Sequence, residues 1–417
     1  MSNKITGNFT SSKATAQLIE NEKGYVAANY HPLPVVLNKG EGVYLWDHEG
    51  KKYLDMMSAY SAVSHGHSHP RIVKALTDQV HKLAMCSRAY HTDTLGPFLE
   101  KLTQLTGLDI ALPMNTGAEA VETAVKAARL WGYSVKKIPE NQAEIIVAEG
   151  NFHGRTTTII SFSTEPDYRK HFGPFTPGFK AVPFDDIKAV EAAITPNTAA
   201  IIFEPIQGEA GIKVPKEGFM RALRKLCTEK SVLLILDEVQ SGLGRTGKMF
   251  CYQHENVLPD AVILGKALGG GLLPVSALVG KKEVMGLFKP GSHGSTFGGN
   301  PLAAAVGLEA LKVLEEEGMV ANSAKLGAYM LEQMRGINSP LITGVRGRGL
   351  WIGLDFDYDK VSARVVCERL MMKGILSKDT HNTVVRFAPP LTITKEDIDW
   401  ALEQLKTVLR EIESELK

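Results

Sequence analysis

Residues 260–280 read DAVILGKALGGGLLPVSALVG. The run Ala261 to Leu264 has the β-branched, fully apolar character of a strand buried on both faces. Lys266 follows after one glycine, and Gly269, Gly270 and Gly271 come close behind. A lysine is costly to bury, and a strand that merely ended at the surface would not need three glycines there. Lys266 is therefore either an exposed strand-end charge or an amine held in a crowded site.

The same pattern recurs upstream. "AEIIVAEG", "AAIIFEP" and "SVLLILDE" are short apolar runs, and helical patterns such as "EGFMRALRKLCTEK" lie between several of them. Continuous apolar strands separated by helices predict an α/β fold with a mainly parallel sheet covered on both faces. From about Ala303 the pattern changes to long helical stretches, then strand candidates near "GLWIGLDF" and "TVVRFAPP", then a last amphipathic helix. That reads as a smaller α+β domain. "GVYLWDHEGKKYLDM" predicts a hairpin turning near Glu49 and Gly50 and packing with the C-terminal part.

Composition bounds the function. The 417 residues are 44% hydrophobic, with a net charge of +1. No broad electrostatic pull toward nucleic acid or anionic membrane is expected. The four cysteines, Cys86, Cys227, Cys251 and Cys367, form no C-x-x-C pair. That argues against a zinc ribbon or a disulfide framework and fits a reducing compartment. No apolar run reaches membrane-spanning length. The stretch "MSNKITGNFTSSKATAQLIENEKG" has no apolar core and no arginine, so it does not read as a signal. The expected location is the cytoplasm.

In an open α/β sheet, ligands bind beyond the carboxyl ends of the strands. Three apolar runs place a charged residue there: Glu204, Asp237 and Lys266. Solvated strand ends would explain any one of them; three converging on one sheet edge suggest a site. In "PMNTGAEAVETAVKAAR", Asn115, Thr116 and Gly117 open a helix whose Val121, Ala124, Val125 and Ala128 share a face. A glycine-containing helix start is an anion site, although an ordinary N-cap by Asn115 or Thr116 accounts for the same residues. A phosphate site, a strand-end aspartate and a strand-end lysine together fit pyridoxal phosphate. The lysine would bond the aldehyde, the aspartate would face the pyridine nitrogen, and the phosphate would dock on the helix start.

With these residues in view, the chain resembles the class III aminotransferases of fold type I over nearly its whole length. The resemblance rests on "NTGAEAVETAVKAAR", "GNFHGRT", "EPIQGEAG", "LILDEVQSGLGRTG", "LGKALGGGLLPVSA", "HGSTFGGNPLAAA" and "RGRGLWIGLDF". Within that family it looks most like the ornithine branch, through "NYHPLPVVL", "MMSAYSAVSHGHSHP" and "VVRFAPPLTI". The resemblance implies a large domain with a mainly parallel seven-stranded sheet and a smaller α+β domain from the two chain ends. The implied division is residues 1–60, 61–302 and 303–417.

Site roles follow from the same resemblance. Lys266 and Asp237 are implied as the catalytic pair, the lysine also serving as acid–base for the proton shift. Cofactor contacts are implied for Thr116, Gly117, Ala118, Phe152 and Gln240, with Ser295 and Thr296 reaching the phosphate from a neighbouring subunit. A homodimer with shared sites is therefore expected, and no metal. The implied substrates are L-ornithine and 2-oxoglutarate, with N-acetylornithine or 4-aminobutyrate as the alternative amine. Arg155 would take the α-carboxylate of ornithine, with Tyr30 and Tyr60 near that end. Arg386 would take the keto acid, neutralised by Glu209 during the other half-reaction. His153 departs from the family motif, where a tryptophan often stands beside the stacking aromatic.

Other signals are weaker. "GLGRTG", residues 242–247, matches G-x-G-x-x-G but does not open a helix directly after a strand, so a nucleotide-linked dehydrogenase has little support. His65, His67 and His69 alternate before a proline without an acidic or cysteine ligand in sequence, which reads as a turn or strand end. Arg346 and Arg348 read as structural or surface residues. A racemase or mutase on the same fold would have no use for the Arg386–Glu209 arrangement, which suits a dicarboxylate co-substrate.

Overall fold

The computed structural model describes residues 12–417; the first 11 residues of the N-terminal stretch read above lie outside the described residues. The central sheet has seven strands. In spatial order they are Ile110–Met114, Ser276–Gly280, Ala261–Leu264, Leu233–Asp237, Thr198–Phe203, Glu144–Ala148 and Phe179–Val182. Ser276–Gly280 pairs antiparallel with both its neighbours, Ile110–Met114 and Ala261–Leu264; the remaining pairs are parallel. The fold is thus the α/β, fold type I architecture the sequence predicts.

Both faces of this sheet are buried, and side-chain alternation divides them. Ile145, Val147, Ala200, Ile202, Leu233 and Ile235 enter one core. Ile146, Ile201, Phe203, Leu234 and Leu236 enter the other. This is why the strands read as unbroken apolar runs. The helix Gly117–Ser134 lays Val121, Ala124, Val125 and Ala128 onto the first core. On the opposite face, Phe219, Met220, Leu223 and Leu226 come from the helix Phe219–Glu229. Parallel neighbours require such crossovers, and the crossovers bring successive strand ends to one edge.

Two four-stranded sheets complete the fold. One contains the antiparallel strands Tyr44–Asp47 and Lys52–Asp55, with Gly50 at φ +85° in the turn between them. Lys52–Asp55 also pairs in parallel with Ile375–Leu376, so the N-terminal hairpin is joined to the C-terminal region. The other sheet runs Ile342–Gly347, Ile352–Phe356, Val384–Phe387, Lys378–Thr380, all antiparallel. The last helix, Lys395–Glu415, buries Ile398, Leu402, Leu405, Leu409 and Ile412 on one stripe. Among the described residues, no helix is long and apolar enough to cross a membrane.

The motifs set aside in the sequence have structural employment. Within "GLGRTG", Arg245 is fully buried. Its guanidinium donates to Leu350 O (2.9 Å), Pro389 O (2.6 Å), Ser58 Oγ (3.1 Å) and Ser64 Oγ (2.9 Å). His65, His67 and His69 point to three different partners: Ala310 O, Asp55 and Glu317.

Candidate active site

Glu204, Asp237 and Lys266 emerge at the carboxyl ends of three adjacent strands. They line one cavity of about 190 Å³ together with Gly117, Phe152 and Gln240. Lys266 sits at φ +47°, a left-handed conformation that a side chain bearing a Cβ rarely adopts. A strain of about 1–3 kcal/mol at such a position persists only where the surroundings fix it. Its amine has no hydrogen-bond partner among the described residues. Burial lowers its pKa, against the opposing pull of Glu209 and Asp237. A lysine with more neutral amine than usual is suited to attack a carbonyl.

Behind the lysine stands a chain of ionisable groups. Asp237 Oδ2 lies 2.6 Å from His153 Nδ1, and Asp237 Oδ1 accepts the Val239 N–H at 3.0 Å. Burial opposes a charge on His153, but its bond to Asp237 and that carboxylate's charge outweigh burial and raise its pKa. Glu204 accepts the Phe152 N–H at 3.0 Å. Burial pushes the Glu204 carboxyl up to about 8, with His153 pulling the other way. Burial thus favours the protonated form of Glu204, while the bond to Asp237 favours the charged form of His153. The bonds to His153 and to the Val239 N–H fix the Asp237 carboxyl in place on the cavity wall.

At the helix Gly117–Ser134, Thr116 is the N-cap: its Oγ1 accepts the Glu119 N–H, and the Glu119 side chain reaches back to the Thr116 N–H. This capping box contributes about 1 kcal/mol. It leaves the Gly117 and Ala118 N–H groups without an acceptor among the described residues, pointing from a helix start beside the cavity. A Cβ on Gly117 would lie 3.0 Å from Val239 Cγ1, so only glycine lets the turn approach this closely. Gln240 lines the same cavity. Ser295 Oγ accepts a bond from the chain's own Asn115 at 2.8 Å, while Thr296 is exposed.

Two arginines stand near the lysine in different surroundings. Arg386, 5% exposed, donates from Nη1 to Glu209 Oε1 at 2.7 Å. Burial pushes the Glu209 carboxyl up, but Arg386 outweighs it and holds the pKa below the usual range. The Arg386 guanidinium also lies 5.3 Å from the Tyr60 ring centroid. Tyr60 comes from a left-handed turn, Ser58 to Ser61, whose four residues all have positive φ and none of which is glycine. Arg245 holds that turn through Ser58 Oγ. Tyr30 is 69% exposed. Arg155 has no carboxylate partner among the described residues; its guanidinium stacks 4.1 Å from the Tyr168 ring centroid.

Three of these features were not read from the sequence: the Asp237 contact of His153, the left-handed turn, and Tyr168. Tyr168 lies in the four-residue helix Pro166–Arg169, too short for a periodic signal.

A buried lysine, a fixed carboxylate, free helix-start amides and two arginines in different electrostatic states are thus gathered at the strand ends. Residues 25–409 match the family Aminotransferase class-III. The chain belongs to the class III aminotransferases. Among class III relatives, it is 58% identical over 395 residues to the ornithine aminotransferase of Brevibacillus brevis, covering 95% of this chain and 98% of that one. Among solved structures, the ornithine aminotransferase of Toxoplasma gondii superposes with a TM-score of 0.95 at 44% identity, over 96% of this chain and 95% of that one. The acetylornithine aminotransferase of Elizabethkingia anophelis superposes with a TM-score of 0.87 at 46% identity, over 96% and 100%.

Proposed function

We propose that this class III aminotransferase moves the δ-amino group of L-ornithine to 2-oxoglutarate with pyridoxal phosphate. The products are glutamate 5-semialdehyde, which closes to pyrroline-5-carboxylate, and glutamate.

The residues fit the cofactor. Lys266 supplies an amine of lowered pKa inside the cavity. Asp237 supplies the fixed negative charge that a protonated pyridine requires. Gly117 and Ala118 supply two unengaged N–H groups at a helix start, where a phosphate is favoured. Thr116, Phe152 and Gln240 complete the proposed cofactor contacts. When bound, pyridoxal phosphate supplies an aldehyde that takes up the donor's amino group and a ring that stabilises negative charge at the donor carbon. Lys266 then acts as the local base and acid, carrying a proton at Nζ.

The Glu209–Arg386 pair carries the substrate assignment. With Glu209 bound, Arg386 is neutralised and does not draw an α-carboxylate toward Lys266. Arg155 is then the available cation for that carboxylate, which leaves the δ-amine at the reacting end. When 2-oxoglutarate enters, its carboxylate replaces Glu209 on Arg386. The ornithine aminotransferase from Brevibacillus brevis, at 58% identity, supports the same choice. Tyr30 and Tyr60 would take the α-amine end, Tyr30 closing on it. N-Acetylornithine is the second reading, favoured by the 46% identity to the acetylornithine enzyme from Elizabethkingia anophelis.

The same reading assigns the chain to the cytoplasm and divides it at residues 60 and 302. It also makes the enzyme a homodimer. Thr296 and its neighbour Phe297, 57% exposed, would be covered by a second copy, to whose site Ser295 and Thr296 would contribute. Purified holoenzyme assayed with ornithine, N-acetylornithine and 4-aminobutyrate in turn tests the assignment. The highest kcat/KM is expected with ornithine, and a higher value with either of the others would replace it.

A further inference from the structure

A second cavity, of about 480 Å³, is lined in part by Gly347, Arg348 and Gly349 and shares no residue with the active-site cavity. It lies among the helix Phe219–Glu229, the turn Cys251–Glu255, the helix Met319–Arg335 and the end of the strand Ile342–Gly347. Its volume is in the range of small-molecule sites, about 300–1,000 Å³.

The floor is bare backbone. A Cβ on Gly327 would lie 2.0 Å from the Gly349 carbonyl carbon, and one on Gly349 would lie 2.4 Å from that of Thr246. Three chain segments therefore meet without side chains between them, and the space above them stays open.

The walls carry cations in unequal states. Arg346, which does not line the cavity, is engaged by Asp355 and by Gly211 O. Arg348, two residues later, is half-buried, and its guanidinium makes no hydrogen bond or ion pair among the described residues. Arg221 reaches Glu217 and Glu255 only at 3.9 Å. Glu255 itself is already occupied, accepting the Gly218 and Arg221 N–H groups at 3.1 Å each. Glu217 is 89% exposed at its side chain, so solvent screens it. His254 contributes no positive charge: burial and Arg348 push its pKa down to about 4. Its Nε2 faces Thr246 O at 3.0 Å, which fixes the proton there and leaves the Nδ1 lone pair. A half-buried guanidinium without a carboxylate is an incomplete arrangement, because its desolvation has no compensating bond.

We infer that this cavity is a second ligand site, for a small anion bearing a carboxylate or phosphate group, with Arg348 as its anchor and Arg221 as a supporting cation. A guanidinium fork matches either group in a bidentate manner. The neutral His254 accepts a bond from a hydroxyl or ammonium on the same molecule.

Calorimetric titration of the holoenzyme with inorganic phosphate and, separately, with citrate at constant ionic strength tests the site. At least one of the two should saturate with one equivalent per chain. Arg348→Ala should weaken that binding about tenfold or more, the worth of a charge-assisted hydrogen bond, while transamination continues at its usual rate. Arg348→Gln, which keeps most of the side-chain volume, should show the same loss. Binding of phosphate alone would identify a phosphate-bearing ligand, and binding of citrate alone a carboxylate. No saturable heat from either anion up to about 20 mM would overturn the inference. So would binding that survives Arg348→Ala or that disappears in Arg386→Ala, since the latter would move the anion to the substrate pocket.

Discussion

Arg386 Nη1 lies 2.7 Å from Glu209 Oε1, and the pair is set beside a lysine whose pKa burial has lowered. One cation at the reacting end is thus cancelled, while Arg155 rests on the Tyr168 ring with no carboxylate partner among the described residues. Under the proposed function, two arginines in one site, one neutralised and one available, would provide the asymmetry that holds an amino acid with two amines in one orientation.

Replacing Glu209 with alanine leaves Arg386 uncancelled. Transamination of other amino acids through their α-amines should rise by about tenfold or more, the effect of some 1.4 kcal/mol on orientation. Selectivity for the terminal amine of ornithine should fall in parallel. Steady-state kinetics with L-glutamate and L-alanine as donors measure the change, and unchanged α-amine rates would dismiss the switch.

Arg155→Leu removes the proposed carboxylate anchor without touching Lys266. KM for ornithine should rise about tenfold to a hundredfold, the loss expected when a charged hydrogen-bond partner is removed. KM for 2-oxoglutarate should move less, because Arg386 remains. A larger effect on the keto acid than on ornithine would exchange the roles of the two arginines.

Much of this site was legible in the sequence, and the reason is geometric. Parallel strands linked by crossovers place their carboxyl ends on one edge, so Glu204, Asp237 and Lys266 meet whatever the loops do. The helix start at Gly117 is equally local, since Thr116 and Glu119 form their capping box within four residues. What could not be read depends on contacts between distant segments. His153 meets Asp237 across 84 positions. The left-handed turn at Tyr60 contains no glycine to announce it and is held from outside, by Arg245. Arg346 and Arg348 look alike in sequence, and only the position of Asp355 separates the engaged one from the free one.

Glu204 makes stability depend on pH. Its carboxyl is raised from 4.5 to about 8 in the folded chain. Between those values the folded state binds more protons than the unfolded state, so stability falls as pH climbs. Any contribution from this group is complete below about 4.5 and lost on passing 8. Glu204→Gln retains an acceptor for the Phe152 N–H and cannot ionise. Its Tm should match wild type near pH 4 and exceed it near pH 9. Equal melting curves at both values would show that Glu204 ionises normally.

Arg245 should be the most sensitive residue of the "GLGRTG" segment, although it touches no substrate. Arg245→Met leaves two carbonyls and two hydroxyls without their donor in a buried setting. A destabilisation of about 3 kcal/mol is expected from thermal or urea unfolding. Arg245→Lys should recover only part of it, because one ammonium cannot reach all four acceptors. A loss below about 0.5 kcal/mol, the range of ordinary surface substitutions, would mean that the turn carrying Tyr60 holds itself.

The choice of amino donor tests the central claim most directly. Visible absorption of the holoenzyme can be followed after mixing with L-ornithine, N-acetylornithine or 4-aminobutyrate in separate experiments. The account predicts that the cofactor band is lost fastest with ornithine and restored by 2-oxoglutarate. Faster loss with N-acetylornithine or 4-aminobutyrate would contradict it and leave Arg155 and the Glu209–Arg386 pair serving another amine.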